Sequence, residues 1–96
     1  MPDPPRVSVV IPTCDRPVWL RQALASVAAQ SFCDYEAIVV DDGETPAEIE
    51  HAPWLRYVRG EHTGRPGAAR NRGLALAAGD LIAFLDDDDL WHPDKL

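Results

Sequence analysis

Cysteine is scarce in this chain, because only Cys14 and Cys33 occur among its 96 residues. Two cysteines are too few for a structural zinc site or a disulfide framework. A chain that folds without either device is typical of a reducing compartment, so we expect a cytoplasmic location.

Long hydrophobic runs are also missing. No apolar segment approaches the ~20 residues that a membrane-spanning helix needs, and residues 1–6 lack the hydrophobic core of a signal peptide. The sequence therefore predicts no membrane segment in this chain.

Basic residues are few relative to acidic ones. Nine lysines and arginines stand against sixteen aspartates and glutamates, which gives a formal net charge of −7. This charge argues against non-specific binding of nucleic acid or anionic lipid. If the ligand is itself an anion, a metal ion has to mediate its binding. The hydrophobic fraction of 46% is that of an ordinary globular chain. With 96 residues the chain is long enough for one domain at most, so we expect a single domain over residues 1–96.

Short β-branched runs alternate with stretches of helical periodicity. Strands are predicted over 7–11, 35–40, 54–59 and 81–85, and helices over 17–29, 47–51 and 68–78. Pro12 is expected to end the first strand, Asp15 or Arg16 to cap the first helix, and Gly79 to end the last helix in a left-handed conformation. The order of the elements predicts an α/β fold: a three-layer, Rossmann-like open parallel sheet with helices on both faces. We adopt the strand order 3-2-1-4 for this sheet, which places the reversal of strand order between strands one and four.

Several polar residues follow directly after predicted strands. Ligands of open parallel sheets bind beyond the carboxyl ends of the strands, where the strand order reverses. Thr13, Asp42 and Asp86 each follow a strand. The topology therefore predicts that these three residues share one edge of the sheet.

The run Asp86-Asp87-Asp88-Asp89 concentrates four carboxylates after the last strand. Oxygen ligands suit Mg²⁺ or Mn²⁺, which in turn bridge a diphosphate. In an extended backbone Asp86 and Asp88 point to the same side and are the predicted metal ligands, while Asp87 is available for a sugar hydroxyl. The alternative is a solvated acidic turn in which Asp89 caps a following helix.

The pair Asp41-Asp42 allows two interpretations of equal weight. One carboxylate can accept a hydrogen bond from a nucleotide base or ribose, or the pair can form a turn in which Gly43 supplies a positive φ. Arg70, near the start of the last helix, is a candidate phosphate ligand, and Gly73 is expected to let that helix approach the sheet closely.

Four motifs together resemble one known family. VSVVIPT at 7–13, AIVVDDG at 37–43, GAARNRG at 67–73 and AFLDDDDLWHPDKL at 83–96 are similar to the nucleotide-sugar-binding half of family 2 glycosyltransferases with the GT-A fold. The resemblance covers almost the whole chain in the family's order.

The resemblance implies an inverting, metal-dependent glycosyltransferase that uses a nucleotide-diphospho-sugar donor. Thr13 would line the base pocket, Asp42 would receive the base and Arg70 would lie close to the nucleotide. Residues 86–88 would form the DxD motif, with Asp87 on ribose or sugar. Mn²⁺ or Mg²⁺, held by Asp86 and Asp88, would neutralise the departing diphosphate.

The sequence departs from the family pattern at two positions. Cys14 stands where relatives commonly carry an aromatic residue, and Glu44 stands where serine is usual. Relatives also continue beyond Leu96 into an acceptor-binding half, which supplies the general base. We therefore expect these 96 residues to bind donor and metal weakly and to transfer sugar poorly or not at all. The acceptor, a glycan, lipid or protein, stays open, and self-association through an uncovered sheet edge is a hypothesis.

Two other functions compete with this one. A nucleotide- and metal-binding module without catalysis would carry the same carboxylates. A phosphatase-like domain with a nucleophilic aspartate also uses a DxD pattern, although that family places it after the first strand and follows it with threonine or valine.

Overall fold

The computed structural model describes residues 5–59, 66–87, 89–91, 93 and 95. Its elements are β1 (Val7–Thr13), α1 (Pro17–Ala28), β2 (Tyr35–Asp41), β3 (Leu55–Arg59), α2 (Pro66–Leu76) and β4 (Leu81–Phe84). The four strands form one parallel sheet in the order β3-β2-β1-β4. The predicted topology is confirmed.

The two helices lie on opposite faces of the sheet. On one face, α1 packs its buried residues Leu20, Ala23, Leu24 and Val27 against odd-numbered residues of β1 and β2, among them Val9, Ile11, Ala37 and Val39. On the other face, Ala69 of α2 packs with Ile38 and Val40. Because side chains alternate along a strand, both faces of the two central strands are buried. The predicted three layers are present.

Pro12 does not end β1, contrary to prediction, because the strand continues to Thr13, which pairs with Asp41 of β2. In a parallel strand, successive residues bond to neighbours on opposite sides. The carbonyls of Arg6 and Val10 accept from the N–H groups of Leu81 and Leu85, on the β4 side. Pro12 comes two residues after Val10, so its backbone groups also face that side, beyond the last paired residue of β4. Its missing N–H ends the ladder with β4 and leaves the ladder with β2 intact.

The short helix predicted over 47–51 is absent, since residues 46–52 form neither helix nor strand. The Ala47 N–H donates to Asp41 Oδ2 at 3.0 Å and lies 3.2 Å from the Tyr57 hydroxyl. Ile49 packs against the core on the α1 face. Side-chain acceptors and apolar burial therefore replace the hydrogen bonds that a helix would have made.

Helix α2 begins and ends two residues earlier than predicted. Proline is well tolerated in the first helical turn, where its missing N–H has no partner to lose. At the other end, the Ala78 N–H donates to Glu36 Oε2 at 2.7 Å and the Gly79 N–H donates to Ser8 Oγ at 2.8 Å. Gly79 is not left-handed, so this prediction was wrong; a Cβ there would lie 2.7 Å from the Ser8 nitrogen, and glycine is needed for space.

Gly73 permits close contact between α2 and the sheet, as predicted. A Cβ at this position would lie 2.3 Å from Val10 Cγ1. We expect Gly73→Ala to lower the free energy of unfolding by about 1–3 kcal/mol, the usual cost of overpacking a core. Urea denaturation measures this change.

Gly67 is the matched control in the same helix, because a Cβ there would meet nothing within 4 Å. Gly67→Ala should leave stability unchanged or raise it by up to about 1 kcal/mol, since alanine favours helix. If the two variants change the free energy of unfolding equally, the close contact of Gly73 with Val10 does not contribute to stability.

Strand β4 is an edge of the described sheet and carries exposed apolar side chains. Leu81, Ile82 and Phe84 are 54%, 38% and 44% exposed. A soluble monomer rarely leaves several neighbouring apolar side chains uncovered. The predicted uncovered sheet edge is therefore present.

Candidate functional site

The carboxyl ends of β1, β2 and β4 meet at one edge of the sheet, which we call the rim. It comprises residues 13–16, 41–45 and 86–87. Thr13 and Asp41 are register partners, and the Asp42 N–H donates to the Thr13 carbonyl at 2.8 Å. The rim therefore brings together the residues predicted from three strand ends, except Asp88, which lies outside the described residues.

Asp87 is one of three buried carboxylates of the rim, together with Asp41 and Asp42, and only 9% of its side chain is exposed. The Thr13 hydroxyl donates to its Oδ2 at 2.8 Å, and the Arg16 guanidinium lies 3.4 Å from its Oδ1. A buried carboxylate needs such partners, because an uncompensated charge is costly to remove from water. Two predicted site residues, Thr13 and Asp87, are thus in direct contact.

Arg16 is a rim residue whose contact the sequence does not indicate. It is the N-cap of α1 without a side-chain capping hydrogen bond, and its side chain is 53% exposed. Its guanidinium brings a positive charge to an otherwise acidic rim. The contact with Asp87 joins residues 71 positions apart in the chain, so no local pattern could have revealed it.

Asp86 and Arg70 form an exposed ion pair beside this buried cluster. Arg70 Nη2 lies 3.0 Å from Asp86 Oδ1, and the two side chains are 40% and 50% exposed. Exposed pairs contribute little to stability, so this contact can open at small cost. Asp86 is therefore accessible to a ligand from solvent, and the structure brings Arg70 beside it.

Asp41 and Asp42 have different roles in the structure. Asp41 is 2% exposed; its Oδ1 accepts from the Gly43 N–H at 2.8 Å and its Oδ2 accepts from the Ala47 N–H and the Tyr57 hydroxyl. Burial and this hydrogen bond to Asp41 raise the pKa of Tyr57, which keeps it protonated as a donor. Asp41 forms the turn, and Asp42, which is 9% exposed, follows it at the rim.

The positive φ expected at Gly43 is not observed. Its φ lies outside the left-handed region, and a Cβ there would lie 2.7 Å from Asp15 Oδ1. Glycine is required at this position because Asp15 approaches so closely.

Cys14 is an exposed thiol on the rim. Partial desolvation, followed by the charges of Asp15, Asp42, Asp41 and Asp87, raises the pKa of this thiol. A raised pKa keeps the sulfur protonated and weakly nucleophilic at neutral pH. Nothing in this environment activates Cys14 as a nucleophile.

The rim offers few ready-made ligands for a metal ion. In the part of the chain that the structure describes, no group of three or more histidine, cysteine, aspartate or glutamate side chains could hold one. Mg²⁺ and Mn²⁺ sites at phosphates commonly use one or two carboxylates and complete the shell with water and phosphate oxygens. The exposed Asp86 fits a site of that kind, which a ligand would complete.

A cavity of about 600 Å³ lies away from the rim residues, between α1 and residues 48–55. Apolar side chains such as Leu24, Ile49 and Trp54 line it together with the charged Arg21 and Glu48. None of the predicted site residues borders this cavity. It is therefore separate from the rim.

Comparison with known proteins places the chain among glycosyltransferases. The family model described as "Glycosyl transferase family 2" matches residues 8–96. The succinoglycan biosynthesis protein ExoW of Rhizobium meliloti is 42% identical over 103 residues, covering 95% of this chain and 32% of that protein. The amylovoran biosynthesis glycosyltransferase AmsB of Erwinia amylovora is 38% identical over 98 residues, covering 93% and 33%.

Solved structures share the fold. S. aureus TarS 1–349 in complex with UDP-GlcNAc is 27% identical with a TM-score of 0.80, over 92% of this chain and 28% of that chain. The mannosyltransferase PcManGT from Pyrobaculum calidifontis in complex with GDP-Man and Mn²⁺ is 26% identical with a TM-score of 0.74, over 95% and 30%. The predicted GT-A relationship is confirmed.

The chain spans about a third of the length of ExoW and AmsB. None of the helices in the described residues is both long and apolar enough to cross a membrane.

Proposed function

Since the chain belongs to glycosyl transferase family 2, we propose that it is the donor-binding part of an inverting glycosyltransferase that depends on Mn²⁺ or Mg²⁺. The observation that carries the proposal is the meeting of Thr13, Asp42, Asp86 and Asp87 at one edge of the sheet. The neighbours that bind UDP-GlcNAc or GDP-Man support it at the level of ligand class.

Each rim residue receives a role from its position. Thr13 and Asp42 face the nucleotide base, with the Asp42 carboxylate as acceptor for a base N–H. Asp87 is held by Thr13 and Arg16, so its carboxylate is fixed in orientation and can accept from a ribose or sugar hydroxyl. Fixed acceptors of this kind lower the entropic cost of binding.

Asp86 and Asp88 are the residues that would hold the divalent cation. When bound, the cation supplies Lewis-acid stabilisation of the departing nucleoside diphosphate. Asp86 would take this role from an exposed position, where its ion pair with Arg70 can open at small cost. Opening also releases the Arg70 guanidinium, which can then donate to a phosphate oxygen.

Transfer with inversion requires an acceptor hydroxyl to attack the anomeric carbon from the face opposite the diphosphate. A base must take the proton of that hydroxyl. We assign the base to a position beyond Leu96, and the acceptor is a glycan, a lipid or a protein. Donor binding is therefore the part of the reaction that the described residues account for.

Titration calorimetry of the 96-residue chain tests the proposal. UDP-, GDP- and dTDP-sugars are added with and without Mn²⁺. At least one donor should bind, more tightly with the cation. If none of these donors shows cation-dependent binding, the donor-binding proposal is wrong. Separately, acceptor-dependent sugar transfer by these 96 residues would contradict the placement of the general base beyond Leu96.

The exposed apolar side chains of β4 support a second proposal, that isolated 96-residue chains self-associate. Leu81, Ile82 and Phe84 are exposed on this edge strand, and pairing such edges buries both apolar side chains and unpaired backbone groups. The sedimentation coefficient should rise with protein concentration. A concentration-independent monomer would contradict this.

A further inference from the structure

Asp15 has an unusual backbone conformation at the rim. Its φ of 54° is the only positive value at a non-glycine residue among those that the structure describes. A left-handed conformation costs an ordinary residue about 1–2 kcal/mol, although aspartate tolerates it better than most. Such residues persist where the surrounding contacts hold them, and they concentrate at functional sites.

The Asp15 side chain binds the backbone that follows Asp42. Its Oδ2 accepts from the Glu44 N–H and its Oδ1 accepts from the Thr45 N–H, both at 3.2 Å. The absence of a side chain at Gly43 makes room for the carboxylate, as the 2.7 Å approach shows. The turn from 43 to 45 is thus tied to the β1–α1 connection.

Arg59, at the end of β3, binds the same turn from its carbonyl side. Its Nη2 donates to the carbonyls of Gly43 and Glu44, both at 2.8 Å. Bonds from a charged guanidinium or to a carboxylate are stronger than neutral ones. Asp15 therefore holds the turn through the N–H groups of Glu44 and Thr45, and Arg59 holds it through the carbonyls of Gly43 and Glu44.

We propose that Asp15 and Arg59 are positioning residues for the nucleotide of the donor. They join the two segments that carry Thr13 and Asp42, and they fix the 43–45 turn as one wall of the base site. The inference deepens the proposed function and rests on it. Asp15 and Arg59 hold the turn in one conformation before the nucleotide binds. Asp42 can then accept a hydrogen bond from the base without the entropic cost of ordering its loop.

The positions of Asp15 and Arg59 at the protein surface distinguish a positioning role from a general contribution to stability. Both residues are exposed, and neither belongs to the buried core. Removing either side chain should leave the fold intact while freeing the turn. Cation dependence should also persist, since Asp86 is not part of this network.

The test compares Asp15→Ala, Asp15→Asn and Arg59→Ala with the wild-type 96-residue chain. Asparagine keeps a carbonyl acceptor and tolerates the left-handed conformation. We expect Asp15→Ala and Arg59→Ala to weaken nucleotide binding at least tenfold, and Asp15→Asn, which keeps one of the two acceptor oxygens, to fall between wild type and Asp15→Ala. The factor by which Mn²⁺ strengthens binding should be the same in all four proteins.

Amide hydrogen exchange without any ligand provides an independent readout. The Glu44 and Thr45 amides should exchange at least tenfold faster in Asp15→Ala, while core amides keep their protection. Asp80→Ala, an exposed carboxylate outside the rim, is the control and should change neither quantity.

The outcomes distinguish the two proposals. If wild type binds nucleotide and Asp15→Ala binds it equally, the positioning role is wrong while the proposed function stands. If wild type binds no nucleotide, both fail. A uniform loss of core protection in Asp15→Ala would show a structural role only and would also overturn the inference.

Discussion

Chelating the divalent cation should weaken binding of the nucleotide-diphosphate sugar at least 100-fold. The diphosphate is an anion, and it must approach a rim that carries Asp42, Asp86 and Asp87 on a chain of net charge −7. Two like charges about 4 Å apart repel by about 4 kcal/mol at the effective dielectric constant of a protein surface, before screening by salt. Since a hundredfold change corresponds to about 2.7 kcal/mol, the charge arrangement is sufficient for the expected loss.

The matched control is the nucleoside that lacks the diphosphate. Its base and ribose still meet Thr13, Asp42 and Asp87, but no phosphate charge approaches Asp86. Calorimetric affinity for the nucleoside should therefore be the same with cation and with chelator. A donor that binds equally well in both conditions would refute metal mediation at the rim.

Replacing Asp87 by asparagine should weaken donor binding about 10- to 100-fold. A hydrogen bond to a charged acceptor contributes about 1.5–3 kcal/mol, and each tenfold in affinity is about 1.4 kcal/mol. The amide keeps the shape of the carboxylate and can still accept from the Thr13 hydroxyl. It loses the charge that pairs with Arg16 and that would receive a ribose or sugar hydroxyl.

Stability and a neighbouring variant control for indirect effects of Asp87→Asn. The Arg16 partner is 53% exposed, so loss of the ion pair should lower the free energy of unfolding by about 1 kcal/mol or less. The side chain of Asp89 is exposed, and its backbone N–H donates to the Asp86 carbonyl. Asp89→Asn changes only the side chain and should leave the affinity for the donor unchanged. Equal affinities for Asp87→Asn and Asp89→Asn would remove Asp87 from the donor site.

The parallel α/β sheet was predictable because the succession of strands and helices has local causes. Short β-branched runs separated by helical stretches permit few parallel topologies with right-handed crossovers, and 3-2-1-4 is the one observed. The prediction of a helix over 47–51 was wrong because the conformation of that segment is set by tertiary contacts. Its backbone is bound by Asp41 and packed through Ile49, and neither tertiary contact has a local sequence pattern.

The candidate site was predictable in its location and only partly in its roles. Any residue that follows a strand falls on the rim, so Thr13, Asp42 and Asp86 could be listed from sequence. Which member of Asp41-Asp42 points inward depends on the alternation of β2 and on Tyr57, which lies on another strand. The contact of Arg16 with Asp87 depends in the same way on the folded chain.

The position of bound Mn²⁺ is the most direct test of where the donor binds. In a ¹⁵N-labelled 96-residue chain with the tightest nucleotide of the panel, substoichiometric Mn²⁺ broadens the amide signals of nearby residues. We predict that the amides of Thr13, Asp42, Asp86 and Asp87 broaden first, while His51 and Ala52, which line the cavity beside α1, stay sharp. Broadening centred on that cavity, or spread evenly over acidic residues such as Glu48 and Glu50, would contradict donor binding at the rim.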